Sequence, residues 1–228
     1  MIVSVHLPKT GGVSFRSALQ SVFGEQLLCD YEDKPIHQAR ARRALVTIYH
    51  CGANLFRDFS NVPCIHGHFL PLKYALLEFR QDVQVVTWMR HPVDRLISHY
   101  MFWNTQHTPQ SLDSLHHRVL SEQWSLERFC FSAELRNLYS AFLWGFPLRR
   151  FDFVGITEHY DNDLQFFASN YLGRSLPATR ENVTRYEDPS VHQLDEDLRS
   201  RIEAFHGRDM EIYRQAVKLR EIRVQRMN

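Results

Sequence analysis

A lysine and two glycines near the start of the chain form a pattern that suits the binding of a phosphate group. Ile2 to Val5 predicts a short buried strand, Pro8 ends it, and a helix is expected from Ser14 onward. The turn between them consists of Lys9, Thr10, Gly11, Gly12 and Val13. The N–H groups of a helix start, the helix dipole and a lysine would all point to one place. Because Lys9 precedes the glycines, the turn lacks the Walker A spacing, and it predicts a phosphate cradle of a different kind.

A second candidate group follows the clearest strand pattern, Val83 to Trp88. Arg90 lies at its end, and a helix from Val93 to Trp103 carries Ser98. A planar guanidinium and a hydroxyl are natural donors to a terminal phosphate. We interpret the neighbouring Arg95 as structural, in an ion pair.

Two histidines form a third group, His66 and His68, directly after the apolar run Val62 to Ile65. In an open parallel sheet, ligands bind at the carboxyl ends of the strands, so the three groups are expected to converge on one crevice. From the residues alone, the histidines could equally be strand-end residues with satisfied hydrogen bonds.

The remaining pattern alternates strands with helices. We predict a strand at 151–156 and helices at 17–23, 72–79, 111–144 and 161–172, with a helical tail from 194 that breaks at Gly207. Residues 30–43 are interpreted as a solvated loop and a helix start. This alternation predicts an α/β fold, with a central, mostly parallel sheet flanked by helices in three layers, as a single domain over 1–228.

Composition excludes several classes. With 228 residues and a net charge of +1, the chain shows no bulk electrostatic preference for nucleic acid. No apolar run approaches the roughly 20 residues that span a bilayer, and no secretory signal is evident. The four cysteines lack Cys-x-x-Cys spacing, which argues against a zinc knuckle or a redox dithiol and favours free thiols in a reducing compartment.

Both phosphate patterns carry a resemblance to a known family. Pro8 to Phe15, Pro-Lys-Thr-Gly-Gly-Val-Ser-Phe, resembles the 5′-phosphosulfate motif of the carbohydrate sulfotransferases, and Arg90 to Tyr100 resembles their 3′-phosphate motif. The resemblance continues through Leu135 to Leu138 and Phe153 to Glu158. It implies a P-loop-like nucleotide fold that binds 3′-phosphoadenosine 5′-phosphosulfate (PAPS) without a metal ion. It also suggests Arg185 as a further phosphate contact.

The segment around the two histidines is similar to the His-Gly-His segment of the heparan sulfate 2-O-sulfotransferases and their uronyl relatives. By position, this similarity implies that His68 is the general base and that His66 assists it. Lys9 would then stabilise the leaving phosphate oxygen, and the acceptor would be a hydroxyl, most simply of a saccharide. We expect a cytoplasmic enzyme, plausible for a bacterium; a trimmed form of a Golgi-lumen enzyme is the alternative.

Two other functions stay open. A nucleotide kinase or NTPase would require a Gly-x-x-x-x-Gly-Lys-[Ser/Thr] loop and a strand-end aspartate for magnesium, and neither is evident. A non-catalytic glycan- or anion-binding protein could share the fold, although the candidate residues are all in place. The sequence does not identify the acceptor or the oligomeric state.

Overall fold

The computed structural model describes residues 1–33, 39–105, 114–176 and 194–226. Its sheet has five strands, and every pairing within the described residues is parallel. In chain order the strands are β1 (Ile2–Val5), β2 (Leu27–Asp30), β3 (Cys64–Gly67), β4 (Gln84–Met89) and β5 (Phe153–Ile156). Their order across the sheet is β2-β3-β1-β4-β5, which confirms the predicted α/β class.

Helices connect and flank these strands. The α-helices are α1 (Gly12–Phe23), α2 (Arg40–Asn54), α3 (Pro92–Thr105), α4 (Leu115–Ser121), α5 (Leu126–Cys130), α6 (Leu138–Phe142), α7 (Tyr160–Tyr171), α8 (Glu196–Phe205) and α9 (Gly207–Gln225). Short 3₁₀ helices occupy Gly24–Gln26, Pro71–Phe79, Ala133–Leu135, Leu148–Arg150 and Thr157–His159.

Two apolar layers lie on opposite faces of the sheet, because neighbouring strand residues point to opposite sides. Val3 and Val5 of β1 pack with Tyr139 of α6 and Ala216 of α9. Ile2 of the same strand belongs to the other layer, which holds residues of α1 and α7. Helices therefore cover both faces, which gives the three layers expected from the sequence.

The predicted secondary structure differs from the structure mainly in three segments. The segment 27–30 is a strand that the pattern did not indicate, and residues 40–54 form a full helix where a loop and a helix start were expected. The predicted helical stretch 111–144 is wrong as one element, since the described part is broken into short helices. Gln123 and Asn137 have positive φ angles of 48° and 56°, which a continuing α-helix does not allow.

The strand order places a crevice at the carboxyl ends of β1 and β4. The chain leaves β1 toward β2 and β3 on one side, whereas it leaves β4 toward β5 on the other. Diverging connections of this kind open a space between adjacent strands, where ligands of open α/β sheets bind.

Candidate functional site

The turn after β1 contains two residues with left-handed backbone conformations. Lys9 and Gly11 have φ angles of 66° and 85°, and α1 begins at Gly12, two residues earlier than the sequence predicted. The Thr10 hydroxyl donates to the Leu7 carbonyl at 2.8 Å, so it braces the turn and leaves only the Thr10 backbone for a ligand. Val13 is exposed and Ser14 is buried in the first turn of α1.

A threonine after β5 ties this turn to the neighbouring strand. The Thr157 hydroxyl lies 2.8 Å from the Thr10 carbonyl oxygen and 3.0 Å from that of Met89, the last residue of β4. One side chain thus holds the turn beside the end of β4, where Arg90 follows.

The imidazole rings of His6, His66 and His68 stack next to this turn, with His6 against both of the others. His6 is centred 4.2 Å from His68 and 5.1 Å from His66, with interplanar angles of 29° and 24°. His6 also fills the space next to Gly12: a Cβ atom at Gly12 would lie 1.9 Å from Cδ2 of His6. The glycine is therefore required by the ring that packs against it.

The main chain of β1 fixes the tautomer of His68. Its Nδ1 lies 2.5 Å from the His6 carbonyl oxygen, which can only accept a hydrogen bond. Nδ1 therefore carries the proton in the neutral ring, and Nε2 keeps a lone pair. His68 is partly exposed at this end of the sheet, and its role as the general base stays a prediction.

Two members of the site escaped the sequence interpretation. His6 was not singled out, and Tyr31 fell in the segment interpreted as a loop. The Tyr31 hydroxyl lies 3.0 Å from Nδ1 of His6, and its ring meets His68 edge-on at 4.9 Å. His6 follows β1 and His68 follows β3, so the parallel pairing of these strands brings them side by side, but this register is not a local property of the sequence.

His66 occupies a different environment from His68. It is fully buried, and its Nδ1 lies 2.8 Å from the Ser4 hydroxyl. Burial, followed by the neighbouring His68, lowers the pKa of His66 to about 3. The ring is therefore neutral. The assisting role stays a prediction.

Lys9 and Arg90 lie close enough to affect each other. Burial, followed by the charge of Arg90, lowers the pKa of Lys9 to about 8. The Lys9 Nζ atom lies 3.9 Å from the centre of the Phe102 ring on α3, in a cation–π contact. Two cations near one another favour an anionic ligand between them.

The hydroxyl group of Tyr139 on α6 forms hydrogen bonds with the backbone of Arg90. The Tyr139 hydroxyl lies 2.6 Å from the Arg90 carbonyl oxygen and 3.1 Å from its N–H nitrogen.

Ser98 lies further along α3 and is largely buried. Arg185 lies outside the described residues. The phosphate-binding roles of Arg90, Ser98 and Arg185 stay predictions.

The prediction of an ion pair for Arg95 is wrong within the described part of the chain. Its guanidinium is fully buried, with none of its three nitrogens hydrogen-bonded to a described residue. It lies 5.8 Å from the Tyr139 ring centre, whereas the neighbouring Asp94 pairs with Arg199 at 3.0 Å. The side chain of Arg95 lies on the buried face of α3, where its charge opposes the rise in pKa that burial causes at the buried Asp209.

Among residues 1–33, 39–105, 114–176 and 194–226, no group of three or more His, Cys, Asp or Glu side chains could hold a metal ion. The described helices include none that is both long and apolar enough to span a membrane.

No protein-family model matches the chain, and no curated protein matches it. One similar solved structure is a sulfotransferase from Alicyclobacillus acidocaldarius, with 15% identity over 92% of each chain and a TM-score of 0.48. We therefore base the functional proposal on the residues and geometry of the site.

Proposed function

We propose that this protein is a sulfotransferase that moves the sulfuryl group of PAPS to a saccharide hydroxyl. The observation that carries the proposal is the position of His68. In its neutral form the ring is unprotonated at Nε2, and it stacks on His6, which itself packs against the glycine that opens the phosphate turn. A base and a phosphate cradle in one crevice suit the transfer of an anionic group to a hydroxyl.

The turn 9–14 would hold the 5′ end of the donor. The backbone N–H groups at the start of α1 and the Lys9 ammonium supply donors and positive charge there. Arg90 and Ser98 would hold the 3′-phosphate, and Thr157 keeps the two ends of this arrangement at a fixed distance by bonding near both the turn and β4. The residues present fit a nucleotide that carries phosphate at both ends.

The residues have separate roles in the transfer. Nε2 of His68 takes the proton from the acceptor hydroxyl as that oxygen bonds to sulfur in line with the leaving group. The bond between sulfur and the bridging oxygen breaks, and its electron pair stays on the departing phosphate. The Lys9 ammonium stabilises the charge on that oxygen, as cations do in phosphoryl transfer.

Two aromatic side chains beside the reacting groups support a saccharide acceptor. Tyr31 lies against His68, and Phe102 lies against Lys9; both are partly exposed. Exposed aromatic surface beside the reacting groups can bury the apolar parts of a bound acceptor.

The test compares ligands by thermal unfolding, since a ligand stabilises the native state according to its affinity. We expect 3′-phosphoadenosine 5′-phosphate (PAP) to raise the midpoint and ATP with magnesium to have little effect. Stabilisation by ATP with magnesium alone would overturn the proposal in favour of a kinase or NTPase.

A transfer assay then separates an enzyme from a binding protein. Radiolabelled PAPS is offered with mono- and polysaccharides, phenols and lipid alcohols, and labelled product is expected from the saccharides. Binding of PAP with no transfer to any hydroxyl would favour the non-catalytic alternative, whereas transfer to phenols only would correct the acceptor class.

A further inference from the structure

The helix α2 carries an apolar face that points to solvent. Leu45, Ile48, Tyr49 and Phe56 are 69%, 55%, 71% and 90% exposed. Ile48 and Tyr49 follow Leu45 by three and four residues, and Phe56 follows Tyr49 by seven. These spacings place the four side chains on one side of α2 and of the turn after it. Phe79, 76% exposed, is the last residue of the 3₁₀ helix that packs against α2. We call these five residues the apolar face of α2.

This face is not the one that holds the helix to the protein. Thr47, Cys51 and Asn54 are the buried residues of α2, and the Asn54 side chain donates to the Lys73 carbonyl at 3.0 Å. Arg80 hydrogen-bonds to the carbonyl oxygens of Leu55 and Arg57, which holds the end of the 3₁₀ helix, and so Phe79, beside the last turn of α2. The apolar face therefore makes no contribution to the core.

The charge around the apolar face is predominantly positive, although Asp58 and Glu78 lie beside it, the latter paired with Arg150. Residues 39–57 contain four arginines, at positions 40, 42, 43 and 57, and no aspartate or glutamate. Arg40 and Arg42, at the start of α2, and Arg57, just past its end, are all exposed. An occupant of this surface must supply both apolar groups and negative charge.

A second copy of the chain does not meet this requirement. A two-fold contact would bring the same positively charged face to itself, with arginines outnumbering the acids Asp58 and Glu78 on both copies. We propose that it binds the surface of an anionic lipid bilayer, with α2 lying in the plane of the interface.

The bilayer meets each feature of the apolar face. Its acyl and glycerol region accepts Leu45, Ile48 and the three aromatic rings, and its anionic headgroups attract the arginines at the two ends of the helix. Attachment of this kind is peripheral and is weakened by salt.

The experiment is sedimentation of the full chain with vesicles of phosphatidylcholine, with and without phosphatidylglycerol. We expect binding to the vesicles that contain phosphatidylglycerol, weaker binding to pure phosphatidylcholine, and release by salt. The double variant Ile48→Gln with Phe56→Gln should bind at least about tenfold more weakly, since each removes a large apolar group from the interface. Arg40→Gln with Arg42→Gln should weaken binding to the anionic vesicles by about tenfold or more.

The matched control is Leu219→Gln with Ile222→Gln, two partly exposed apolar residues on α9 that should leave vesicle binding unchanged. All the substituted side chains are exposed, and circular dichroism checks that each variant is folded. Absence of binding to anionic vesicles, equal binding to both vesicle types, or an equal loss in the control pair would overturn the proposal. So would an oligomer in light scattering that the Ile48 and Phe56 variant dissociates, because a second copy would then cover the face.

Discussion

The Nδ1 atom of His68 lies 2.5 Å from the carbonyl oxygen of His6. The orientation of the proposed base is therefore set by the main chain of the central strand. His6 is itself fixed, because its N–H donates to the Gly67 carbonyl at 2.8 Å and extends the parallel pairing of β1 with β3. A base held by the sheet needs no separate acidic partner to define its tautomer.

Replacement of this base gives the first prediction. His68→Ala should lower the rate of sulfuryl transfer by about 100- to 10,000-fold, the usual contribution of a general base. Binding of PAP, measured by calorimetry, should change little, because the turn 9–14 and Arg90 remain. His117→Ala, on the distant helix α4, is the matched control. Near-normal turnover of the true acceptor by His68→Ala would rule out this role.

The contact between Gly12 and His6 gives the second prediction. In Gly12→Ala the new methyl group would lie within 2.0 Å of two atoms of the His6 ring, so the ring or the turn must move. We expect weaker PAP binding and a lower unfolding midpoint.

Removal of the obstructing ring should reverse that effect. His6→Ala combined with Gly12→Ala leaves room for the methyl group, so the double variant should regain most of the PAP affinity that Gly12→Ala loses. Transfer activity should stay low, since the stack that supports His68 is gone. A double variant that binds PAP as poorly as Gly12→Ala would show that the contact with His6 is not the cause.

The sequence predicted the fold because buried strands and glycine turns are local signals. β1, β4 and the end of α1 at Gly24 follow directly from apolar runs and a glycine. β2 could not be predicted in the same way, since its four residues include an exposed cysteine and follow a helix with only a short 3₁₀ turn between. Its position depends on pairing with β3, which is a long-range property.

The same distinction holds for the candidate site. Lys9, Arg90 and His68 stand out because their residue types and neighbours suggest chemistry. His6 and Tyr31 were missed because their roles come from contacts across the sheet: His6 with His68 at 4.2 Å, and Tyr31 with His6 at 3.0 Å. Neither contact has a signature in the local sequence.

The lowered pKa of Lys9 gives the third prediction. Its value of about 8 means that the free protein loses this positive charge as the pH rises above 8. A bound anion favours the charged form, so PAP binding should take up a proton above pH 8 and weaken by up to about tenfold per pH unit there. Calorimetry across this range measures the effect. In Lys9→Arg the charge persists, so the dependence should disappear; the same slope in both proteins would assign it to another group.

The fourth prediction concerns stability in acid and uses His206, which is fully buried at the start of α9. Its Nε2 donates to the Cys130 carbonyl at 2.8 Å, and its Nδ1 accepts from the Asn137 N–H at 3.3 Å. Burial lowers the pKa of His206 to about 4, with a further contribution from the charges of Arg95 and Arg136.

The unfolded chain therefore binds a proton at this histidine at a higher pH than the folded protein does. Above about pH 6.5 neither state is protonated, and the histidine has no effect on the pH dependence. Between about pH 6.5 and 4 the unfolded state alone takes up the proton, so the free energy of unfolding falls by up to about 1.4 kcal/mol per pH unit. His206→Gln can keep both hydrogen bonds and has no proton to gain. Denaturant unfolding at pH 7, 6 and 5 should show that the free energy of unfolding falls less steeply with decreasing pH in the variant than in the unchanged chain. The difference between the two slopes should approach the uptake of one proton at the acid end of this range. Parallel declines would contradict the assignment.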